Sequence, residues 1–164
     1  MKCVVDTNVP VVANGRMRAG ERPHSLACRL AAVEFLSAIV NRGRIVVDSG
    51  GEVREEYRRY LNPYGQPGVG DRFYLEVLNS NPQRVEFLSL LRRDDGEFCA
   101  CPQSLIDAGF DVSDRKFVAL AALSGGRVVN AVDSDWIEHA DLLADNQIVV
   151  ENLCGSDKDH WFQC

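Results

Sequence analysis

Acidic residues stand at four places where an apolar run ends or a helix opens. They are Asp6 after Cys3-Val4-Val5, Glu52, Glu55 and Glu56 in the stretch from Gly51 to Leu61, Asp114 ahead of Arg115-Lys116-Phe117, and Asp133 with Asp135 after Val128, Val129 and Val132. Carboxylates at the C-terminal ends of neighbouring parallel strands converge on one crevice, where open α/β sheets hold their ligands. Ionised carboxylates a few ångströms apart repel unless a cation lies between them. Hard oxygen donors suit Mg²⁺ or Mn²⁺. The chemistry this implies is metal-assisted hydrolysis of a phosphate ester, with no protein nucleophile. A divalent ion activates water near neutral pH and offsets charge on the phosphoryl oxygens.

The elements that must position these acids alternate. Lys2 to Asp6 is a short β-rich run, and Leu26, Leu30, Val33, Leu36 and Val40 recur at helical spacing between Ser25 and Val40. Gly43 ends that helix and Ile45-Val46-Val47 forms a second strand. Gly51 to Leu61 predicts a helix stopped by Asn62-Pro63, and Asp71 predicts a helix cap running to about Leu78. Between them, Tyr64 to Gly70 reads as a surface loop; without a Lys-Ser/Thr pair it is no phosphate-binding loop. Val85 to Leu90 is an expected strand or extended segment, and Arg92 to Asp111 is irregular but for a turn of helix near Ser104 to Ala108. Ser113 is the expected cap of a helix from Asp114 to Leu123. Val128 to Val132 delivers Asp133 and Asp135, a helix follows from Trp136 to Leu143, and Ile148 to Val150 closes the sheet. Strand and helix in alternation predict one domain over 1–164, a three-layer α/β/α sandwich with a mostly parallel sheet. Its tail from about 152 is expected to be irregular.

Apolar residues make up 46% of the chain and charged residues 26%, ordinary for a globular protein. The N-terminus enters an apolar strand without a signal peptide, and no apolar run reaches the roughly 18 residues of a membrane span. A cytoplasmic location follows as the expectation, with all six cysteines reduced. Cys99 and Cys101 have no second pair at zinc-finger spacing. The net charge of −6 argues against a nucleic-acid partner only if the acids lack a metal. Arg16, Arg18, Arg22 and the Arg54, Arg58, Arg59 set form a basic rim that suits a phosphate backbone or simply solvates exposed faces. His24, His139 and His160 lack partners at ligand spacing, and Trp136 and Phe117 read as core.

Taken together, the opening VVDTNVPVVANG, the Glu-Glu-Tyr helix, DRKFVALA and VVNAVDSDW resemble the four acidic motifs of PIN-domain ribonucleases. The likeness spans Met1 to about Glu151 and lies in the set rather than in any one motif. It implies Mg²⁺- or Mn²⁺-dependent hydrolysis of RNA. Many small stand-alone members are toxins of VapC-type toxin–antitoxin pairs, so an antitoxin protein and a homodimer enter as implied partners. The long Tyr64–Gly70 loop, and Asp-Arg-Lys-Phe where many members have Asp-Ala, leave the toxin role open.

Carried over motif by motif, Asp6, Glu56, Asp114 and Asp133 are the candidate catalytic acids, and with Asp135 the candidate metal ligands. Glu56, just before Tyr57, matches the helical glutamate. Glu52 reads instead as an acid that complements the helix dipole. Asp135 has the alternative of capping the helix that follows. Asn8, Arg54, Arg58, Arg59 and Lys116 are candidate substrate-binding residues, against the bland reading that Lys116 is a solvated helix lysine. Two other classes use the same residues: a flap-type DNA nuclease, and a binding module that keeps the fold with a degraded site. A haloacid-dehalogenase phosphatase is disfavoured, because Asn8 stands where it needs a second Asp.

Overall fold

The computed structural model describes residues 1–17 and 19–164. Five strands, β1 (Lys2–Val5), β2 (Arg44–Asp48), β3 (Val85–Leu88), β4 (Arg127–Asn130) and β5 (Val150–Asn152), form one sheet in the order β3-β2-β1-β4-β5. Every pairing is parallel. Cys3, Val4 and Val5 are all fully buried, as are Ile45, Val46 and Val47. Successive strand residues point to opposite faces, so helices cover both faces of the sheet, the usual condition of a parallel sheet.

Among the described residues there are eight α-helices: α1 (Asn8–Ala13), α2 (Leu26–Arg42), α3 (Glu52–Tyr60), α4 (Val69–Asn79), α5 (Gln103–Asp107), α6 (Arg115–Ser124), α7 (Asp135–Glu138) and α8 (Ala140–Asp145). Helix α6 packs across β1 to β4, while α1, α2 and α4 pack on one another. Helix α2 starts where predicted because Ser25 Oγ accepts from the Cys28 amide.

The first three strands step outward from β1 to one edge, and β4 then returns to the other side of β1. The order therefore reverses between β1 and β4. In such sheets the crevice outside the carboxyl ends at the reversal is the ligand position. Asp6 leaves β1 there, and Asn130 and Asp133 leave β4. The register Val5↔Val129 brings these two strand ends level.

Several expectations need correction. Helix α1 was not anticipated: the sequence pattern assigns no element between Asn8 and Ser25, yet Val9, Val11 and Val12 are buried on a helix. Helix α4 begins at Val69, and Asp71 accepts from the Gly68 amide from inside the first turn instead of preceding the helix. Gly70 admits the close approach of α1, since a Cβ there would sit 2.0 Å from the Pro10 carbonyl oxygen. Ser113 does not cap α6; its amide and hydroxyl both donate to Asp111 Oδ1 at 2.7 Å, and the cap position is Asp114. The helix expected from Trp136 to Leu143 is broken at His139 into α7 and α8, and β5 starts two residues late.

The cysteines also depart from expectation. Cys28 and Cys154 form a disulfide with Cα atoms 4.8 Å apart, while Cys3, Cys99, Cys101 and Cys164 are free. The assumption of a reducing compartment left out that bond, because a separation of 126 residues hides the pair from any spacing argument. The tail has little regular structure but is tied down. It makes a 3-10 turn at Lys158–His160 and returns to the start of α2, where the Ser25 amide donates to the Trp161 carbonyl at 2.8 Å. Among the described residues no helix is long and apolar enough to cross a membrane.

Candidate active site

Asp6, Asp114 and Asp133 each offer an oxygen within 4.8 Å of the others, and among the described residues no other His, Cys, Asp or Glu group is so placed for a metal. Asp6 is 3% exposed at the end of β1 and Asp114 5% at the head of α6. Asp133 sits in the turn between β4 and α7 and is half-buried.

Each acid is held differently. Asp6 accepts from the Asn8 amide at 3.1 Å and from the Trp136 indole N–H at 2.7 Å. Asp133 accepts from the Asp135 amide at 2.9 Å, which fixes the turn leading into α7. Asp114 has a long 3.5 Å contact with the Ser113 hydroxyl. Burial is the largest influence on Asp6 and pushes its pKa up to about 7, with the Asp133 and Glu56 charges adding to the rise. For Asp114 burial comes first again, then the charges of Asp6 and Asp133, and the value reaches about 9. Dry carboxyls in mutual contact resist ionising. A divalent cation would remove that resistance, so the donor set fits Mg²⁺ or Mn²⁺.

Glu56 is near this cluster but is spent on other partners. Its Oε1 accepts from Thr7 Oγ1 at 2.5 Å, and its Oε2 pairs with Lys116 Nζ. Tyr57, fully buried, donates to the Val5 carbonyl at 2.5 Å and so pins α3 to the end of β1. The Gly50-Gly51 turn lets Asp48 accept the Glu52 and Val53 amides at 2.8 Å. Asp48 is thus the acid at the end of β2, used up as a helix cap. Gly51 has φ 90°, a conformation that glycine adopts without a steric penalty.

The other predicted residues separate into near and far. Asp135 lies outside the cluster, its carboxylate accepting from the Asp111 amide at 2.9 Å. Asn8 clips β1 to β4: its amide oxygen accepts from Ala131 and Val132 and its NH₂ donates to Asn130. Lys116 is buried, against the solvated reading, and also donates to the Ser113 carbonyl. Arg59 and Lys116 flank an open cavity of about 550 Å³ that Glu56 also lines. Arg54 lies over the Phe87 ring, and Arg58 pairs with Glu55 at 3.5 Å, both outside that cavity. Glu52 pairs with Arg92 at 2.9 Å. Of the other basic candidates, Arg16 pairs with Asp71 at 3.2 Å and Arg22 lies over Phe162, while Arg18 is outside the described residues. Trp136 is core, as read, but its indole N–H to Asp6 was missed, since nothing in the sequence signals where an indole points.

No family model matches this chain, and no curated protein matches it in sequence. Among solved structures the chain is similar to VapBC2 from Rickettsia felis bound to a DNA fragment from its promoter, at 13% identity and a TM-score of 0.46. That likeness covers 93% of this chain and 98% of the other.

Proposed function

We propose that this protein is a divalent-metal-dependent ribonuclease of the PIN kind its motifs resemble. One observation carries the reading: three carboxylates from β1, α6 and the β4–α7 turn converge within 4.8 Å at the reversal of strand order. Asp6, Asp114 and Asp133 would hold Mg²⁺ or Mn²⁺, which supplies an activated water and charge neutralisation at the phosphodiester. The protein's own part is positioning. Trp136 and the Asn8 amide aim Asp6, and Thr7 and Lys116 fix Glu56 beside the cluster. Arg59 and Lys116, on the wall of the adjoining cavity, are the proposed contacts for the RNA backbone. Asp135 acts through its backbone amide, which holds the Asp133 carboxylate, and not as a ligand.

The test is cleavage of a single-stranded RNA in Mg²⁺ or Mn²⁺, with EDTA and Asp6→Asn as controls. Removing a partner outside the coordination shell costs about 10–100-fold at metal sites, so loss of a direct ligand should exceed that. An Asp6→Asn preparation, free of contaminating nuclease, that cleaves at the wild-type rate overturns the reading. Cleavage of a DNA flap but not RNA turns it to the flap-nuclease class, and no cleavage of either to a binding module. Within this proposal, the toxin role and an antitoxin encoded beside the gene rest on the resemblance, and a homodimer and a cytoplasmic location are carried as expectations of the sequence.

A further inference from the structure

A second cavity, of about 160 Å³, is lined by Asp133, with Val11, Val12 and Val132 among its other walls. Glu21 and His24 line it as well. His24 is 2% exposed, and neither ring nitrogen has a hydrogen-bond partner. The nearby carboxylate of Glu21 stops 4.0 Å short of Nε2. An unsatisfied buried polar group costs about 1–3 kcal/mol, so such groups are kept where something supplies the missing bond.

The ring is not there by slack packing. It stacks on Phe162 at 5.5 Å, His24 and Phe162 form an antiparallel bridge, and Gln163 donates its amide to the His24 carbonyl at 3.3 Å. The returning C-terminal tail thus holds an imidazole in the wall of a cavity whose other wall is a carboxylate of the candidate metal centre. Burial keeps the His24 pKa below its ordinary value, so near neutral pH the ring offers one donor and one acceptor.

The space suits a flat ring with a polar edge. An apolar cavity of about 150 Å³ accepts benzene, so this one is sized for a single six-membered ring. Apolar valine walls would meet the ring faces, while Glu21 accepts an N–H and His24 donates to the carbonyl or ring-nitrogen acceptor beside it. A pyrimidine base presents that pair: N3–H beside O4 in uracil, the N4 amino group beside N3 in cytosine. We propose that this cavity is a base-recognition pocket that binds the pyrimidine of the nucleotide adjoining the scissile phosphate. Its link to cleavage rests on the ribonuclease reading above; its binding of the base does not.

The test keeps the two apart by needing neither metal nor turnover. Uridine, cytidine, adenosine and ribose are titrated into the full chain in EDTA, following the ¹⁵N resonances of the His24 ring. Uridine and cytidine should shift them and bind at least about tenfold tighter than ribose, which lacks the hydrogen-bonded edge worth roughly that factor, and than adenosine, whose similar edge sits on a fused ring pair too large for a cavity of about 160 Å³. His24→Phe keeps the stacking on Phe162 and removes both nitrogens, so it should retain the melting temperature and lose the preference. Glu21→Gln is the second variant, should His24→Phe fold poorly. Equal binding of all four probes, a purine preference, or a base preference that survives both variants overturns the pocket. A chain that binds pyrimidines without cleaving RNA would sink the ribonuclease reading and leave the pocket standing. One that cleaves without any base effect would do the reverse.

Discussion

Asp114→Asn should stabilise the metal-free protein while removing a ligand that the proposed reaction needs. Asp114 is buried, and a long contact with the Ser113 hydroxyl and the Lys116 charge are what its carboxylate has, among the described residues, to set against lost hydration. Its pKa rises from 3.8 to about 9 through burial, then through Asp6 and Asp133. The unfolded chain releases this proton near pH 4, whereas the folded chain holds it to about pH 9. Between those values the folded state binds more protons, so its stability falls as pH rises. The slope is about 1.4 kcal/mol per pH unit, and three units from pH 4 to pH 7 give an upper bound of about 4 kcal/mol. Asp6, itself raised to about 7, shares the strain, so we expect roughly 2–4 kcal/mol of relief at pH 7. For a chain of this length that is a rise in Tm of about 5–15 °C. The assay is thermal unfolding in EDTA at pH 4 and pH 7. The variant should melt higher at pH 7 and level with wild type at pH 4. Mn²⁺ at a hundred times its Kd should add about 2.7 kcal/mol to the wild type and far less to the variant. A variant that melts at or below wild type at pH 7, or a gap that persists at pH 4, would refute the shared buried site.

Glu56→Gln should cut RNA cleavage by at least about tenfold, and Glu52→Gln should leave it within about twofold, since one faces the cluster through Thr7 and the other pairs with Arg92 at the surface. Equal rates for the two variants would put Glu56 outside the machinery. Gly70→Ala should lower Tm although alanine is the better helix former, because its Cβ meets the Pro10 carbonyl at 2.0 Å. Overpacking of that kind costs about 1–3 kcal/mol, and an unchanged melt would deny the close α1–α4 contact. Thiol titration of the denatured, unreduced protein should find the four free cysteines, Cys3, Cys99, Cys101 and Cys164. Reduction should then destabilise the fold by about 2–4 kcal/mol, and six reactive thiols before reduction would show that Cys28 and Cys154 are not bonded.

How much was legible beforehand follows from the range of each interaction. The α/β class, the strands β1, β2 and β4 and the helices α2, α3 and α6 could be read from the chain, with β3 left between strand and extended segment and β5 placed two residues early, because they rest on local periodicity and on stop signals such as Gly43 and Gly125. That Asp6, Asp114 and Asp133 stand at the mouths of elements was equally local, and a parallel sheet then directs such residues to one crevice. What each acid does there is not local. Asp48 and Asp6 both end buried strands, yet one is spent on the amides of α3 and the other joins the cluster. The turn geometry at Gly50-Gly51 decides the first. Glu56 sits beside the triad with Lys116 as its partner, and Asp135 turns to the Asp111 amide, because segments distant in sequence meet there. The same reason hid the Cys28–Cys154 bond and the His24 cavity, which exist only once the tail folds back on the start of α2. The sequence by itself determined the alternation of strand and helix and the placing of Asp6, Asp114 and Asp133 at the mouths of those elements. Contacts between separate segments, from 24 residues apart for Asp111 and Asp135 to 130 for Asp6 and Trp136, decided which of them remain available, because a carboxylate's charge state and partners depend on what is folded against it.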